Sequence, residues 1–109
     1  MIGFIRNEHR AFSKWTDEQI GSLIVSCLKD NICIINEDAS NKIDGIVLAR
    51  IYADKIIHIE VCIAKKKPVL RAFLDIYRDR YSNYIIEGHR RFNLLVRYNT
   101  KRLVDLLYA

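Results

Sequence analysis

One stretch constrains the fold more than any other, because its hydrophobic period changes partway along. Ile56 to Ala64 is an apolar, β-branched run that reads as a strand. Lys65-Lys66-Lys67-Pro68 follows. From Pro68 the apolar residues Leu70, Phe73, Leu74, Tyr77, Tyr81, Tyr84 and Ile85 share one helical face. Pro68 suits the first turn of a helix, where its missing N–H costs little, and Gly88 is placed to stop it. A strand that passes through a crossover helix to a later strand makes those two strands parallel or mixed. The junction is also cationic and opens a helix, whose first N–H groups and dipole favour an anion.

Upstream, Thr16-Asp17-Glu18-Gln19 is a capping-box pattern. Ile20, Leu23, Ile24, Cys27 and Leu28 follow at helical spacing, so a helix is expected from Asp17 to about Lys29, closed by Asp30-Asn31. Met1 to Arg6 reads as a short edge strand, and Glu8 to Trp15 as irregular or a single turn. Ile32 to Asn36, Ile43 to Tyr52 and Ile56 to Ala64 form three strands in series, with Gly45 a possible bulge. Short polar connections make them an antiparallel meander. Arg91 to Tyr98 is a fourth strand, and Asn99-Thr100 caps a last helix from Lys101 to Tyr108. The order (β)αβββαβα specifies an α+β domain over residues 1–109. Its central sheet is mixed, mainly antiparallel, with flanking helices.

The net charge of +5 favours acidic partners such as nucleotides, CoA-like phosphates, nucleic acid or an acidic protein surface. Cys27, Cys33 and Cys62 lie in apolar periodic segments without a CxxC spacing, which reads as reduced thiols packed as small hydrophobes. The apolar runs are too short for a membrane span, and no signal segment is recognised at the start. No cluster has metal-ligand spacing, and no nucleophile sits in a strained elbow motif.

Three groups of residues carry chemistry. Alternation places His58 and Glu60 on the polar face of the third strand, opposite Ile57, Ile59, Val61 and Ile63. A carboxylate there can serve as general base toward an amine, and the plainer reading is a solvated strand face. Lys65, Lys66, Lys67 and Arg71 suit a pyrophosphate or a nucleic-acid phosphate, or form a basic turn and nothing more. Arg90, Arg91 and Arg97, with Lys101 and Arg102 nearby, suit nucleic-acid phosphates or a charged sheet edge that resists aggregation.

The element order resembles the GNAT acetyltransferase family across almost the whole chain. Ile59-Glu60-Val61 stands where that fold has its apolar fourth strand. The lysine run enters the helix where the family binds CoA pyrophosphate. Leu95-Val96-Arg97-Tyr98-Asn99 looks like the family's strand-then-Asn entry to the next helix. The resemblance implies an acetyl-CoA site at Lys65, Lys66, Lys67 and Arg71, with Glu60 and His58 as catalytic residues. The chain departs from the family in three ways. The family's glycine loop is replaced by Lys66-Lys67-Pro68-Val69-Leu70-Arg71. Leu106 stands where many members carry an acidic Tyr. The final two strands are lacking, which leaves an edge for a partner chain or a second copy.

The run from Phe73 to Arg80 also looks like the small GNAT-like internal virion proteins of short-tailed bacteriophages. The resulting expectation is a truncated GNAT-like accessory protein of the virion or host cytoplasm. It would act through protein or virion contacts, without efficient acetyl transfer and without a cofactor. An acetyl-CoA-dependent N-acetyltransferase and a basic nucleic-acid-binding module are the alternatives.

Overall fold

The structure, a computed structural model, describes residues 1–90 and the backbone of residues 94–99, with side chains described through residue 88. It opens on a helix, α1 (Ile2–Glu8), where the sequence suggested an edge strand. Packing decides this. Ile5 is fully buried, with Ile2 and Phe4 lying against the same core. Ile2 and Ile5 are three apart, on one helical face. A seven-residue helix has little stability of its own, so tertiary contacts hold it. From its far side the Arg6 guanidinium reaches the Trp15 carbonyl at 3.3 Å and pairs with the Asp17 carboxylate.

After a single 3-10 turn at Arg10–Phe12 comes α2 (Asp17–Cys27), and its cap is the expected one. The Gln19 N–H donates to Thr16 Oγ1 at 3.2 Å, and the Thr16 N–H donates to Gln19 Oε1 at 2.9 Å. A 3-10 turn over Leu28–Asp30 closes it, with Asn31 left-handed at φ 54°.

The meander is β1 (Ile34–Glu37), β2 (Ile43–Ala53) and β3 (Ile56–Ala64), paired antiparallel in sequence order. Next comes α3 (Lys67–Arg80), then β4 (Ile85–Arg90) and β5 (Leu94–Asn99). The sheet has five strands in the order β1-β2-β3-β4-β5. β4 pairs parallel with β3 and antiparallel with β5, so the expected mixed, mainly antiparallel sheet is present.

The crossover itself is shorter than the helical periodicity suggested. The helix stops at Arg80, and Tyr81 leaves helical geometry at φ −130°. Ser82 and Asn83 make a turn in which the Tyr84 N–H donates to the Tyr81 carbonyl at 2.9 Å. Ile85 and Ile86 then pair with Ile56 and Ile57. Two adjacent β-branched residues gain more as strand than as a continued helix. Gly88 is therefore a strand residue rather than a helix stop. The strand expected over Arg91 to Tyr98 is described from Leu94 and runs through Asn99, the residue expected to cap the next helix. Residues 91–93 and the expected helix from Lys101 to Tyr108 lie outside the described residues.

Each face of the sheet has its own core. On one face Ile46, Leu48, Val61 and Ile63 pack against Ile5, Ile20, Ile24 and Cys27 of the two N-terminal helices. On the other, Val47, Ala49, Ile57 and Ile86 pack against Val69, Phe73 and Tyr77 of α3. Gly45 lets α3 approach. A Cβ built there would lie 2.5 Å from Val69 Cγ1 and 2.8 Å from Phe73 Cζ. The irregularity anticipated at Gly45 falls beside it. Asn36 pairs with Gly45 and Glu37 with Ile43, so Asp44 is the extra residue.

Candidate functional site

The chemistry gathers where β3 and β4 part. Their parallel pairing runs from Ile56↔Ile85 to Ile59↔Gly88 and stops there, although both strands continue. Beyond that point β3 pairs through Ala64 with β2 alone among the described residues. Among the described residues, nothing pairs with the β4-side edge of residues 60–64, whose backbone donors and acceptors could pair with an extended ligand.

A bulge marks the same place. Leu48 pairs with Val61 and Ala49 with Ile59, so Glu60 is the inserted residue. One extra residue shifts the alternation. This corrects the simple two-face reading of β3. Ile57 and Ile59 belong to the α3 core, whereas Val61 and Ile63 belong to the core of α1 and α2. His58 and Glu60 do fall on one side, as expected, and the bulge brings them close. His58 Nε2 lies 3.7 Å from Glu60 Oε1.

Two residues that sequence reasoning passed over complete the cluster. Arg50 of β2 stands opposite His58 and donates to Glu60 Oε1 at 2.5 Å. This carboxylate pushes the Arg50 guanidinium still higher than its ordinary range, chiefly by accepting its hydrogen bond. Glu87 of β4, the register partner of His58, places Oε1 2.9 Å from His58 Nδ1. Glu87 is only 3% exposed. Its position was hidden by the helix expected through Gly88. The available signal was the β-branched pair Ile85-Ile86 just before it. Tyr52, 70% exposed, stands at the solvent side with its ring 6.4 Å from that of His58. A half-exposed pair such as Arg50–Glu60 contributes under about 1 kcal/mol to stability, so folding alone gives little reason for it.

At the other end of the open edge lies the lysine turn. Lys66 is the N-cap of α3, extended at φ −134°, with no side-chain cap and no acid in the first turn. Five residues of strand separate Glu60 from Lys65, roughly 17 Å at the rise of a β-strand. Lys65 Nζ lies 3.5 Å from Glu8 Oε1. Lys66 and Lys67 are exposed and form no ion pair with a described side chain. Arg71 follows Lys67 by four residues, one turn along the same helix face. The backbone contributes little here. Pro68 has no N–H, and the Val69 N–H already donates to the Lys66 carbonyl at 3.1 Å. Side-chain charge, rather than a cradle of backbone amides, is what this turn offers an anion.

The remaining sequence-selected residues lie elsewhere. Arg90 ends β4 and Arg97 stands opposite Glu87 in the β4–β5 register, while Arg91 lies outside the described residues. Cys27 and Cys33 sit under the sheet, and burial pushes both thiols up, which makes them poor nucleophiles. Among the described residues no group of His, Cys, Asp and Glu is arranged to hold a metal ion, and no helix is long and apolar enough to cross a membrane.

No protein-family model and no curated protein matches the chain. Among solved structures it is similar to a spermidine N-acetyltransferase SpeG chimera from Vibrio cholerae and hSSAT. The TM-score is 0.53 at 17% identity, over 98% of this chain and 72% of that one. At that identity the likeness is one of fold, and the fold of this chain is GNAT-like.

Proposed function

We propose that this chain is an N-acetyltransferase that uses acetyl-CoA and a primary amine. One observation carries the reading: the open edge of β3 has an acid–base cluster at one end and a cationic helix start at the other. The amide-bearing arm of CoA suits an unpaired strand edge, because its amides can pair as a strand's do. Lys66, Lys67 and Arg71, with Lys65, would hold the phosphates as point charges. The bound cofactor supplies an activated acetyl thioester. Glu60 and His58, close together where β3 and β4 part, would serve an incoming amine as its base. Arg50 fixes the Glu60 carboxylate against that position.

The test is acetyl transfer to a panel of amines, followed by thiol release. Glu60→Gln is expected to lose turnover by about 10²-fold or more while retaining acetyl-CoA binding. Wild-type protein that binds acetyl-CoA yet transfers to no amine in the panel would argue against an enzyme.

A second reading is favoured by the chemistry of the lysine turn. Pro68 and the occupied Val69 N–H leave few backbone donors for a pyrophosphate. On that reading the chain keeps the scaffold without efficient transfer and works by surface contact, as a phage accessory or internal virion protein. It predicts no saturable CoA binding, and unchanged phage activity when Lys66 and Lys67 are both replaced by Ala.

A further inference from the structure

The face of the sheet that carries His58 and Glu60 is ordered in rows. Arg50, His58 and Glu87 stand side by side on β2, β3 and β4, because Arg50 pairs with His58 and His58 with Glu87. Ile56 and Ile85 lie two residues back along β3 and β4, so alternation puts them on the same face, where they pair with each other. Tyr52 completes their row on β2. Ile51 pairs with Ile57 and Ala53 with Ile56, so Tyr52 is an inserted residue, the second bulge between these two strands. Its ring lies 6.4 Å from that of His58. A polar row is thus followed, about 7 Å further down the strands, by an apolar one.

The apolar row is uncovered. Further up β2, Leu48 of this face is buried against α1 and α2. At the lower end Tyr52 is 70% exposed and Ile85 41%, with Ile56 half-buried. Apolar side chains left in water in one row on three adjacent strands favour an apolar ligand. Charge is placed differently. The carboxylates of Glu60 and Glu87 belong to the polar end. The hairpin tip beyond the apolar row, Asp54-Lys55, carries one charge of each sign.

We infer that the acceptor is a small primary amine with a single positive charge on an apolar or aromatic body, and that Tyr52, Ile56 and Ile85 select it. This inference rests on the acetyl-transfer reading and deepens it. The ammonium lies toward Glu60, and the body lies over Tyr52 and Ile85. An arylethylamine, with two carbons between nitrogen and ring, spans the two rows. A diamine would carry its second charge onto the apolar row, where desolvation opposes it. The bond balance is that of simple transfer. The amine nitrogen bonds the acetyl carbon as the thioester C–S bond breaks, one ammonium proton leaves with the thiol, and one is released to solvent. The bland reading is a tyrosine that ends a hairpin strand on β-propensity alone. It gives no reason for a bulge that turns the ring to the His58 side.

Binding and turnover test this separately on the full chain. With ring-labelled tyrosine, phenethylamine is expected to shift the Tyr52 resonances in a saturable way, and putrescine is not. In acetyl transfer, kcat/KM for phenethylamine is expected to exceed that for putrescine by about tenfold or more. Tyr52→Ala should remove most of that preference by raising KM for phenethylamine, with KM for acetyl-CoA unchanged. Tyr52→Leu, which keeps an apolar body at an exposed position, should retain it. Ile85→Ser should weaken it in the same direction. Equal or better turnover of putrescine, or a phenethylamine preference indifferent to Tyr52→Ala, overturns the inference and leaves the acetyl-transfer reading standing. Saturable phenethylamine binding at Tyr52 without transfer to any amine overturns that reading instead.

Discussion

The two faces of the sheet are built on opposite terms. Under α3 the contacts are close and apolar. Val69 and Phe73 press onto Gly45, and the Tyr77 hydroxyl donates to the Ile32 carbonyl at 2.8 Å. Where β3 and β4 part, Arg50, Glu60, His58 and Glu87 form a chain of polar contacts, in which the half-exposed Arg50–Glu60 pair adds little to stability. The α3 face is organised to hold the fold, and the polar end is organised to do something on it. Substitutions on the first should act on stability, and those on the second on binding and turnover.

The comparison breaks most visibly at Phe73. Phe73→Ala empties the centre of the α3 core and is expected to cost about 3–5 kcal/mol in urea unfolding. Gly45→Val places branched carbon where one Cβ already clashes, for about 1–3 kcal/mol or a loss of folded protein. A near-neutral result there would mean that α3 sits further from β2 than described.

Tyr77→Phe leaves the Ile32 carbonyl without its donor, for about 1–3 kcal/mol. Burial also pushes the Tyr77 phenol well above its ordinary value of 10.0, so the folded state keeps that proton longer than the unfolded chain does. The stability it confers is complete below the unfolded phenol's value and is lost as pH rises toward the folded one. Thermal melts above pH 10 should fall more steeply for wild type than for Tyr77→Phe. The smallest effect sharpens the contrast from the other side. Glu60→Gln is expected to change stability by less than about 1 kcal/mol while removing turnover.

Much of this was legible in the residues, for identifiable reasons. The Thr16–Gln19 capping box, the three-strand meander and the Pro68 helix start each rest on local chemistry, and each is where the sequence puts it. The terminal segment Ile2–Glu8 is a helix because Ile5 finds a core made by α2 and the sheet, which no local pattern encodes. The end of α3 was masked by tyrosines. Tyr77, Tyr81 and Tyr84 keep helical spacing, but Tyr81 and Tyr84 meet edge to face across a turn, with ring centroids 5.4 Å apart. The site was half legible. Alternation picked out His58 and Glu60, and the charge run picked out the lysines. The bulge at Glu60 and the partner Glu87 depend on strand register, which only the folded sheet defines.

The central claim is that the open edge of β3 and the lysine turn together bind acetyl-CoA, and calorimetric titration of acetyl-CoA into the purified chain tests it most directly. Saturable binding that weakens about tenfold or more in the Lys66→Ala, Lys67→Ala double variant, with the fold intact, is the predicted result. Absence of binding to folded wild-type protein, or binding indifferent to both lysines, would contradict it.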